Sequence, residues 1–416
     1  MTTSRIGGPI VLALVALIAA AAGNAWARSP WRLARIAGSA GAGLEGERPP
    51  VVAAAPDGWA ILAWDGPHHT FVALRPPGAA RFGAARRVGR GGAAPLGAAI
   101  DGHGRAVVAW LTTAEDAVRA VRVGPRGLGP VVRLSPLGAN LSAEEAPQVT
   151  LGPGGRAAVV WFMFQPAGAY VNLAWPGHGF GAPQPIDELS STIEGVFAGF
   201  DASGRLHITW QDEGSLRGAV WSARGIRRAA RTLLVRRGDL TERPPRALDV
   251  ATLSSGAQLA ILSGEPGVWL SRGAPGGVFE PPFAPPAIER VRQAAVAADG
   301  WALLAGSAAR HNALSVCRPG GGCAGPQLGA WRGEELRALA IGEQGEYVVA
   351  WEGVRGGHLS GRLRARVGNG RRLGGASLLS RENEDKQVSS AVTADGEILL
   401  AFETPHGVEI ATRPSR

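Results

Sequence analysis

Three short segments of the sequence place a carboxylate close to a histidine: "WDGPHHT" (64–70), "WEGVRGGH" (351–358) and "FETPHG" (402–407). The residues concerned are Asp65 with His68 and His69, Glu352 with His358, and Glu403 with His406. A carboxylate beside an imidazole is able to hold a divalent metal or to relay a proton. A polar turn in solvent has the same composition, so both interpretations stay open at this stage.

The elements that position these residues emerge from an internal repeat. Eight similar segments occur along the chain, and their turn glycines are 44 to 52 residues apart. In each segment, the residue six positions after the glycine closes an apolar run. The pairs are Gly58 and Trp64, Gly104 and Trp110, Gly155 and Trp161, Gly204 and Trp210, Gly345 and Trp351, and Gly396 and Phe402, with Gly256–Leu262 and Gly300–Gly306 as divergent copies. This period matches one four-stranded propeller blade.

The local pattern of each repeat predicts how its strands pack. The glycine follows a short strand in a tight turn, where a left-handed conformation favours glycine. The strand after the turn is apolar on both faces, as expected of a strand between two neighbouring sheets. A small residue five positions after the glycine precedes the large one, which lets adjacent sheets interdigitate. We therefore predict an all-β fold, an eight-bladed β-propeller.

The two ends of the chain suggest how the ring closes. The last repeat supplies only three strands, whereas residues 31–37 precede the first complete repeat and have the pattern of a fourth strand. We predict that this N-terminal strand completes the last blade and so covers two sheet edges that would otherwise be exposed. Residues 28–416 should then form a single propeller domain.

The repeat resembles that of exported bacterial propellers whose blades carry a D-x-x-G-x-x-x-x-x-W strand, and the resemblance spans nearly all of 28–416. It implies an architecture but no particular activity. The Asp box of exo-sialidases, S-x-D-x-G-x-T-W, is different, because Asp201 and Trp210 are nine residues apart here instead of five. The Thr-Gly of the tryptophan repeat in pyrroloquinoline-quinone dehydrogenases is also missing. No specific enzyme family matches.

The segment "DASGRLHITWQDEG" (201–214) resembles an active site in composition, yet it is one copy of the repeat. His207 occupies a position that is aliphatic in the other seven copies. We therefore interpret it as a core residue hydrogen-bonded between blades, and Asp201 as a turn residue. Asp212 and Glu213 follow the repeat and remain candidates for contact with a ligand.

The N-terminal residues 1–27 have the pattern of a secretory signal peptide. A 13-residue apolar run follows Arg5, and Ala25-Trp26-Ala27 offers a cleavage site. The run is too short for an ordinary transmembrane helix, although an uncleaved anchor is the alternative. We expect a secreted or periplasmic protein with no membrane span after cleavage.

Cysteine content and charge narrow the function classes. Cys317 and Cys323 are the only cysteines, and in an oxidising compartment they predict a local disulfide; a redox pair or half a zinc site is the alternative. The net charge is +9, but Lys386 is the only lysine and no run of five like charges occurs. We expect no binding to nucleic acid.

Acidic residues concentrate in the connections that lead into the first strand of each blade. They are Glu45, Glu47, Glu144, Glu145, Asp187, Glu188, Asp239, Glu242, Glu334, Glu335, Glu382, Glu384 and Asp385. These connections share one face with the three carboxylate–histidine segments, so the sequence predicts an acidic face; loops that simply collect charge are the other interpretation. No cofactor is expected, while calcium stays open as a ligand of oxygen-rich loops.

Two functions from different classes follow from these patterns. The first is a monomeric, non-catalytic binding scaffold whose acidic loop face holds a protein or a cell-envelope polysaccharide. The second is a carbohydrate-active hydrolase or lyase of the sialidase-like propeller type. An enzyme requires convergent polar groups with perturbed pKa values at the axial mouth of the ring, whereas a scaffold does not.

Overall fold

The computed structural model describes residues 31–36, 39, 49–66, 68–90, 96–112, 116–141, 146–165, 167–186, 193–212, 215–222, 231–234, 246–264, 267–275, 277–284, 288–308, 311–324, 327–328, 334–355, 358–370, 372–380 and 388–415. The signal peptide predicted at 1–27 lies outside these residues. In the described part of the chain, no helix is long and apolar enough to cross a membrane.

The described residues form eight antiparallel sheets, which we number as blades in chain order. Blade 1 contains β2 (Val51–Ala54), β3 (Ala60–Asp65), β4 (His69–Arg75) and β5 (Arg86–Arg90). Blade 2 contains β6 (Leu96–Ile100), β7 (Ala106–Thr112), β8 (Ala117–Gly124), β9 (Gly127–Leu128) and β10 (Val132–Arg133). Blade 3 contains β11 (Asn140–Leu141), β12 (Gln148–Gly152), the 3-10 turn Pro153–Gly155, β13 (Arg156–Gln165), β14 (Ala167–Ala174) and β15 (Gln184–Pro185). Blade 4 contains β16 (Ile193–Phe200), β17 (Leu206–Asp212), β18 (Ser215–Trp221) and β19 (Arg231–Leu234).

The second half of the chain repeats the pattern. Blade 5 contains β20 (Arg246–Thr252), β21 (Gln258–Gly264) and β22 (Gly267–Gly273). Blade 6 contains β23 (Arg290–Val296), β24 (Ala302–Ala308), β25 (His311–Cys317) and β26 (Gln327–Leu328). Blade 7 contains β27 (Glu334–Ile341), β28 (Glu346–Arg355), β29 (His358–Asn369), β30 (Arg372–Leu373) and β31 (Ser377–Leu378). Blade 8 contains β32 (Val388–Val392), β33 (Ile398–Thr404), β34 (Gly407–Arg413) and β1 (Arg32–Arg35). The predicted fold class, an all-β eight-bladed propeller, is confirmed.

The first strand of each blade lines the middle of the ring. Each of these strands contacts the first strand of the next blade, and β32 contacts β2. On the outside of blade 8, β1 pairs antiparallel with β34, with Arg32 opposite Thr412 and Arg35 opposite Glu409. Strands from the two ends of the described chain therefore share one sheet.

The second strands form the seams between blades. Trp64, Ala60 and Leu62 of blade 1 pack against Leu399 and Ala401 of blade 8. Residues two, four and six after a turn glycine thus face the preceding blade, and residues three and five face the following one. As predicted, the aromatic sixth residues are buried: Trp64, Trp110, Trp161, Trp210, Trp351 and Phe402 all expose 2% or less of their surface.

The turn glycines have two separate physical requirements. All eight have φ between +71° and +97°, a region that disfavours side chains. In addition, at six of the eight turn glycines the residue after the glycine of the preceding blade lies nearby. A Cβ on Gly104 would lie 2.7 Å from the Trp59 ring, and one on Gly345 would lie 2.9 Å from Trp301. The sequence indicated the first requirement but not the second.

Two further predictions concern single residues. The predicted disulfide between Cys317 and Cys323 is present. The prediction for His207 is correct about burial but wrong about its partner, because His207 Nε2 lies 3.1 Å from Asp201 Oδ2 in the turn of its own blade. Burial lowers the pKa of His207, and the pair is part of the core.

Candidate functional site

The two ends of the ring carry different connections. We call the end with the hairpins between second and third strands the hairpin face; it also carries the connections into each first strand. The opposite end carries the glycine turns and the connections between third and fourth strands, and we call it the turn face. The carboxylate–histidine segments lie on the hairpin face, as the sequence predicted.

Two carboxyl groups from neighbouring blades influence each other on the hairpin face. Asp65 ends β3 of blade 1, and Thr70 Oγ1 donates a hydrogen bond of 2.6 Å to its Oδ1. Glu403 lies near the end of β33 in blade 8. Burial, followed by the negative charge of Asp65, raises the pKa of Glu403 to about 7. We call Asp65 and Glu403 the carboxyl pair; near neutral pH Glu403 is about half ionised.

The register of the second strands explains why Glu403 is half-buried. Glu403 is seven positions after its turn glycine, in the row of residues that face the following blade. In blade 2 the equivalent residue is Leu111, which packs in one cluster with Trp161 of blade 3. In blade 4 it is Gln211, whose Oε1 accepts the backbone N–H of Ala247 in blade 5 at 2.7 Å. The seventh position therefore still belongs to the seam between blades and not to a solvated loop.

The histidine side chains of these segments differ in their surroundings. His69 Nε2 lies 3.0 Å from Arg87 Nη1, and the His69 ring is 6.4 Å from that of Phe71. His68 and His406 are exposed. Among the described residues, no group of three or more His, Cys, Asp or Glu side chains is placed to hold a metal ion.

The other two acidic candidates are ion-paired with arginines. Glu352 is fully buried, and its Oε2 lies 3.0 Å from Arg337 Nη2. Asp212 Oδ2 lies 3.2 Å from Arg217 Nη1. Each of these carboxylates therefore has a cation from its own blade.

Several predicted residues cannot be placed. Glu213 and the side chain of His358 lie outside the described part of the chain, as do Glu45, Glu47, Glu144, Glu145, Asp187, Glu188, Asp239, Glu242, Glu382, Glu384, Asp385 and the side chain of Glu334. Glu335 is described, and its Oε1 lies 3.3 Å from Arg337 Nη1. The acidic face as a whole stays a prediction.

The central channel contains a carboxyl group that the sequence analysis missed. First strands of blades 3 to 6 enclose a cavity of about 440 Å³, and Asp249 lies on its wall with Gln148, Thr150, Phe197 and Thr252. Burial among protein atoms raises the pKa of Asp249 to about 7, although the backbone N–H of Val250 donates to it and opposes this shift. Part of its surface remains accessible from the channel. The available signal was a lone acidic residue in an otherwise apolar first strand, "ALDVAT".

Comparison with solved structures shows the same architecture. The Dos1 propeller superimposes with a TM-score of 0.54 at 10% identity, over 93% of this chain and 95% of that one. A prolyl endopeptidase matches with a TM-score of 0.53 at 11% identity, over 85% of this chain and 54% of that one. Puromycin hydrolase matches with a TM-score of 0.50 at 15% identity, over 88% of this chain and 61% of that one.

This chain therefore spans only about half to three-fifths of the length of the prolyl endopeptidase and of puromycin hydrolase. At such low sequence identities, the similarity concerns the fold, and a propeller fold is compatible with many functions. No protein-family model matches the chain. A comparison with curated proteins finds no match either.

Proposed function

We propose that this protein is an exported binding propeller without catalytic activity, and that its hairpin face holds a cationic group of a protein or of a cell-envelope glycan. The observation that carries the proposal is the carboxyl pair, Asp65 and Glu403. Two acidic groups that repel each other at a seam gain stability when a cation is placed beside them, since the cation favours the ionised form of both. A lysine, an arginine or an amino sugar provides such a cation.

The composition of the central cavity supports binding over glycoside cleavage. Most enzymes that hydrolyse glycosides use two carboxyl groups, one on each side of the bond that breaks. The described wall of the cavity contains one carboxyl group, Asp249, together with amide, hydroxyl and apolar side chains. A single acid is enough to orient a ligand but supplies only half of that machinery.

The test compares the full exported chain with the double variant Asp65→Asn/Glu403→Gln. Glu280→Gln is the matched control, since Glu280 is an exposed carboxylate outside this seam. The probes are an oligoarginine peptide, a glucosamine oligomer with free amines and the N-acetylated form of that oligomer. Binding is measured by biolayer interferometry at about pH 6 and about pH 8, on either side of the raised Glu403 pKa.

We expect the double variant to bind the cationic probes about tenfold more weakly, which corresponds to loss of about 1.4 kcal/mol. The wild type should bind oligoarginine more tightly at the higher pH, because Glu403 is then ionised. A preference for the peptide or for the amino sugar identifies the source of the cation. Equal binding by wild type and double variant, or equal binding of the N-acetylated oligomer, would contradict the proposal.

A further inference from the structure

On the turn face, the seam between blades 7 and 8 carries a shorter side chain than most of the others. At the position after the turn glycine, five blades carry a large side chain that lies over the next blade or beside it. These residues are Trp59, Arg105, Arg156, Arg205 and Trp301. In blade 7 the equivalent residue is Glu346, which is shorter than any of them, although a Cβ on Gly396 of blade 8 would still lie 3.0 Å from its Cγ. Blades 5 and 8 carry Ala257 and Glu397 at this position. A cleft of about 560 Å³ is present here between the turns of blades 7 and 8.

Glu346 lines this cleft, and only one of its two carboxylate oxygens accepts a hydrogen bond from the described residues. Asn369 Nδ2 donates a hydrogen bond of 2.9 Å to Glu346 Oε1. The other oxygen, Oε2, is buried and has no hydrogen-bond partner among the described residues. An unsatisfied buried acceptor is costly, and a charged one more so. Since the last torsion of a glutamate side chain is broad, a small rotation presents Oε2 to the cleft.

The remaining wall offers both donors and acceptors. Asp395 is exposed on the blade 8 side, where Thr393 donates to Oδ1. Gln344 Nε2 donates to the carbonyl of Ala394 at 2.8 Å and so ties the two turns together. The rest of the lining includes Ser377, Ser415, Arg413 and the backbone of Gly368, Gly374, Gly375 and Gly396. Glycine walls allow a ligand to approach the main chain closely.

The chemistry of this wall points to a neutral ligand with several hydroxyl groups. The described lining contains two carboxylates and one guanidinium, a balance that disfavours a ligand with a large net charge of either sign. A hydroxyl both donates and accepts, so it matches carboxylates on one side and Arg, Asn or Gln groups on the other. The volume falls within the range of small-molecule sites, which is about 300–1,000 Å³.

We propose that the cleft between blades 7 and 8 on the turn face is a binding site for a small neutral sugar, whose hydroxyl group donates to Glu346 Oε2. This site is separate from the carboxyl pair on the hairpin face. It lies at the opposite end of the ring, and its existence does not depend on the proposed function.

The test uses ligand-observed NMR on the full exported chain with glucose, galactose, mannose and N-acetylglucosamine as probes, each at millimolar concentration. Glu346→Gln replaces one carboxylate oxygen by an NH2 group, which donates but cannot accept, so it should weaken binding at least tenfold. Glu343→Gln is the control, since Glu343 belongs to the same turn but does not line the cleft. The hairpin-face variant Asp65→Asn/Glu403→Gln should bind the sugar as the wild type does.

A second variant keeps the test independent of folding defects. Glu346→Trp introduces the residue that blades 1 and 6 carry at this position, so it should fill the cleft and abolish sugar binding without lowering the melting temperature. The inference is overturned if none of the four sugars binds the wild type, or if Glu346→Gln and Glu346→Trp bind as the wild type does.

Discussion

The raised pKa of Glu403 makes a quantitative prediction about stability. An ordinary glutamate has a pKa near 4.5, and in this protein burial and the charge of Asp65 raise that of Glu403 to about 7. The folded state therefore favours the protonated form. This contribution to stability is fully present below the unfolded pKa, and it is lost as the pH rises through about 7.

Replacement of Glu403 by glutamine keeps the shape of the side chain and removes the charge. At about 1.4 kcal/mol per unit, the pKa shift sets an upper limit of about 3 kcal/mol on the gain above both pKa values. Partial solvent exposure of Glu403 reduces the expected gain to about 2 kcal/mol at pH 8. Near pH 4 the carboxyl group is largely neutral in both the folded and the unfolded state, so the two proteins should be nearly equal in stability there.

Urea unfolding followed by tryptophan fluorescence, repeated between about pH 4 and pH 8, measures this difference. Asp65→Asn should produce part of the same gain, because it removes the second cause of the shift. Glu280→Gln should give no pH-dependent change. The explanation is refuted if Glu403→Gln shifts stability equally at both ends of the pH range, or if it destabilises the protein at pH 8.

Two other predictions concern the seams and the disulfide. Trp161→Phe should destabilise the protein more than Trp210→Phe does, by about 1–3 kcal/mol. The reason is that Trp161 Nε1 donates to the buried Asn172 Oδ1 at 2.7 Å, whereas Trp210 Nε1 has no partner among the described residues. Urea unfolding midpoints compare the two variants, and the reverse order of stability would contradict the prediction. Replacing Cys317 and Cys323 together by alanine should lower the free energy of unfolding by about 2 kcal/mol, and reductant should lower the melting temperature of the wild type but not of this variant.

The sequence was sufficient for the fold because the repeat combines several independent signals. A turn glycine, a strand that is apolar on both faces and a large sixth residue occur together in most copies, and Trp64 and Trp110 lie where this pattern places them. These signals are local and periodic. They therefore specify the blade and the number of blades without knowledge of contacts across the ring.

The same pattern was less informative about the candidate sites. For the residues after the apolar run, the sequence left a metal or proton site and a polar turn in solvent both open, yet Glu352 and Glu403 occupy the seventh position, which faces the next blade. Asp249 and Glu346 were missed because their importance depends on which strands enclose the channel and which side chains fill a seam. Such relations join residues from different blades, and spacing along the chain does not reveal them.

The contact between one blade and the turn glycine of the next has a direction. Trp59 covers Gly104 and Arg105 approaches Gly155, and six of the eight blades contact the next turn glycine in this same direction. This is a heterologous, head-to-tail interface, which stays unsatisfied at both ends unless rotation closes it into a ring. A single ancestral blade with both features would therefore be able to assemble with copies of itself. A substitution at such a glycine should accordingly strain the main chain of its own blade and also collide with a side chain of the preceding blade.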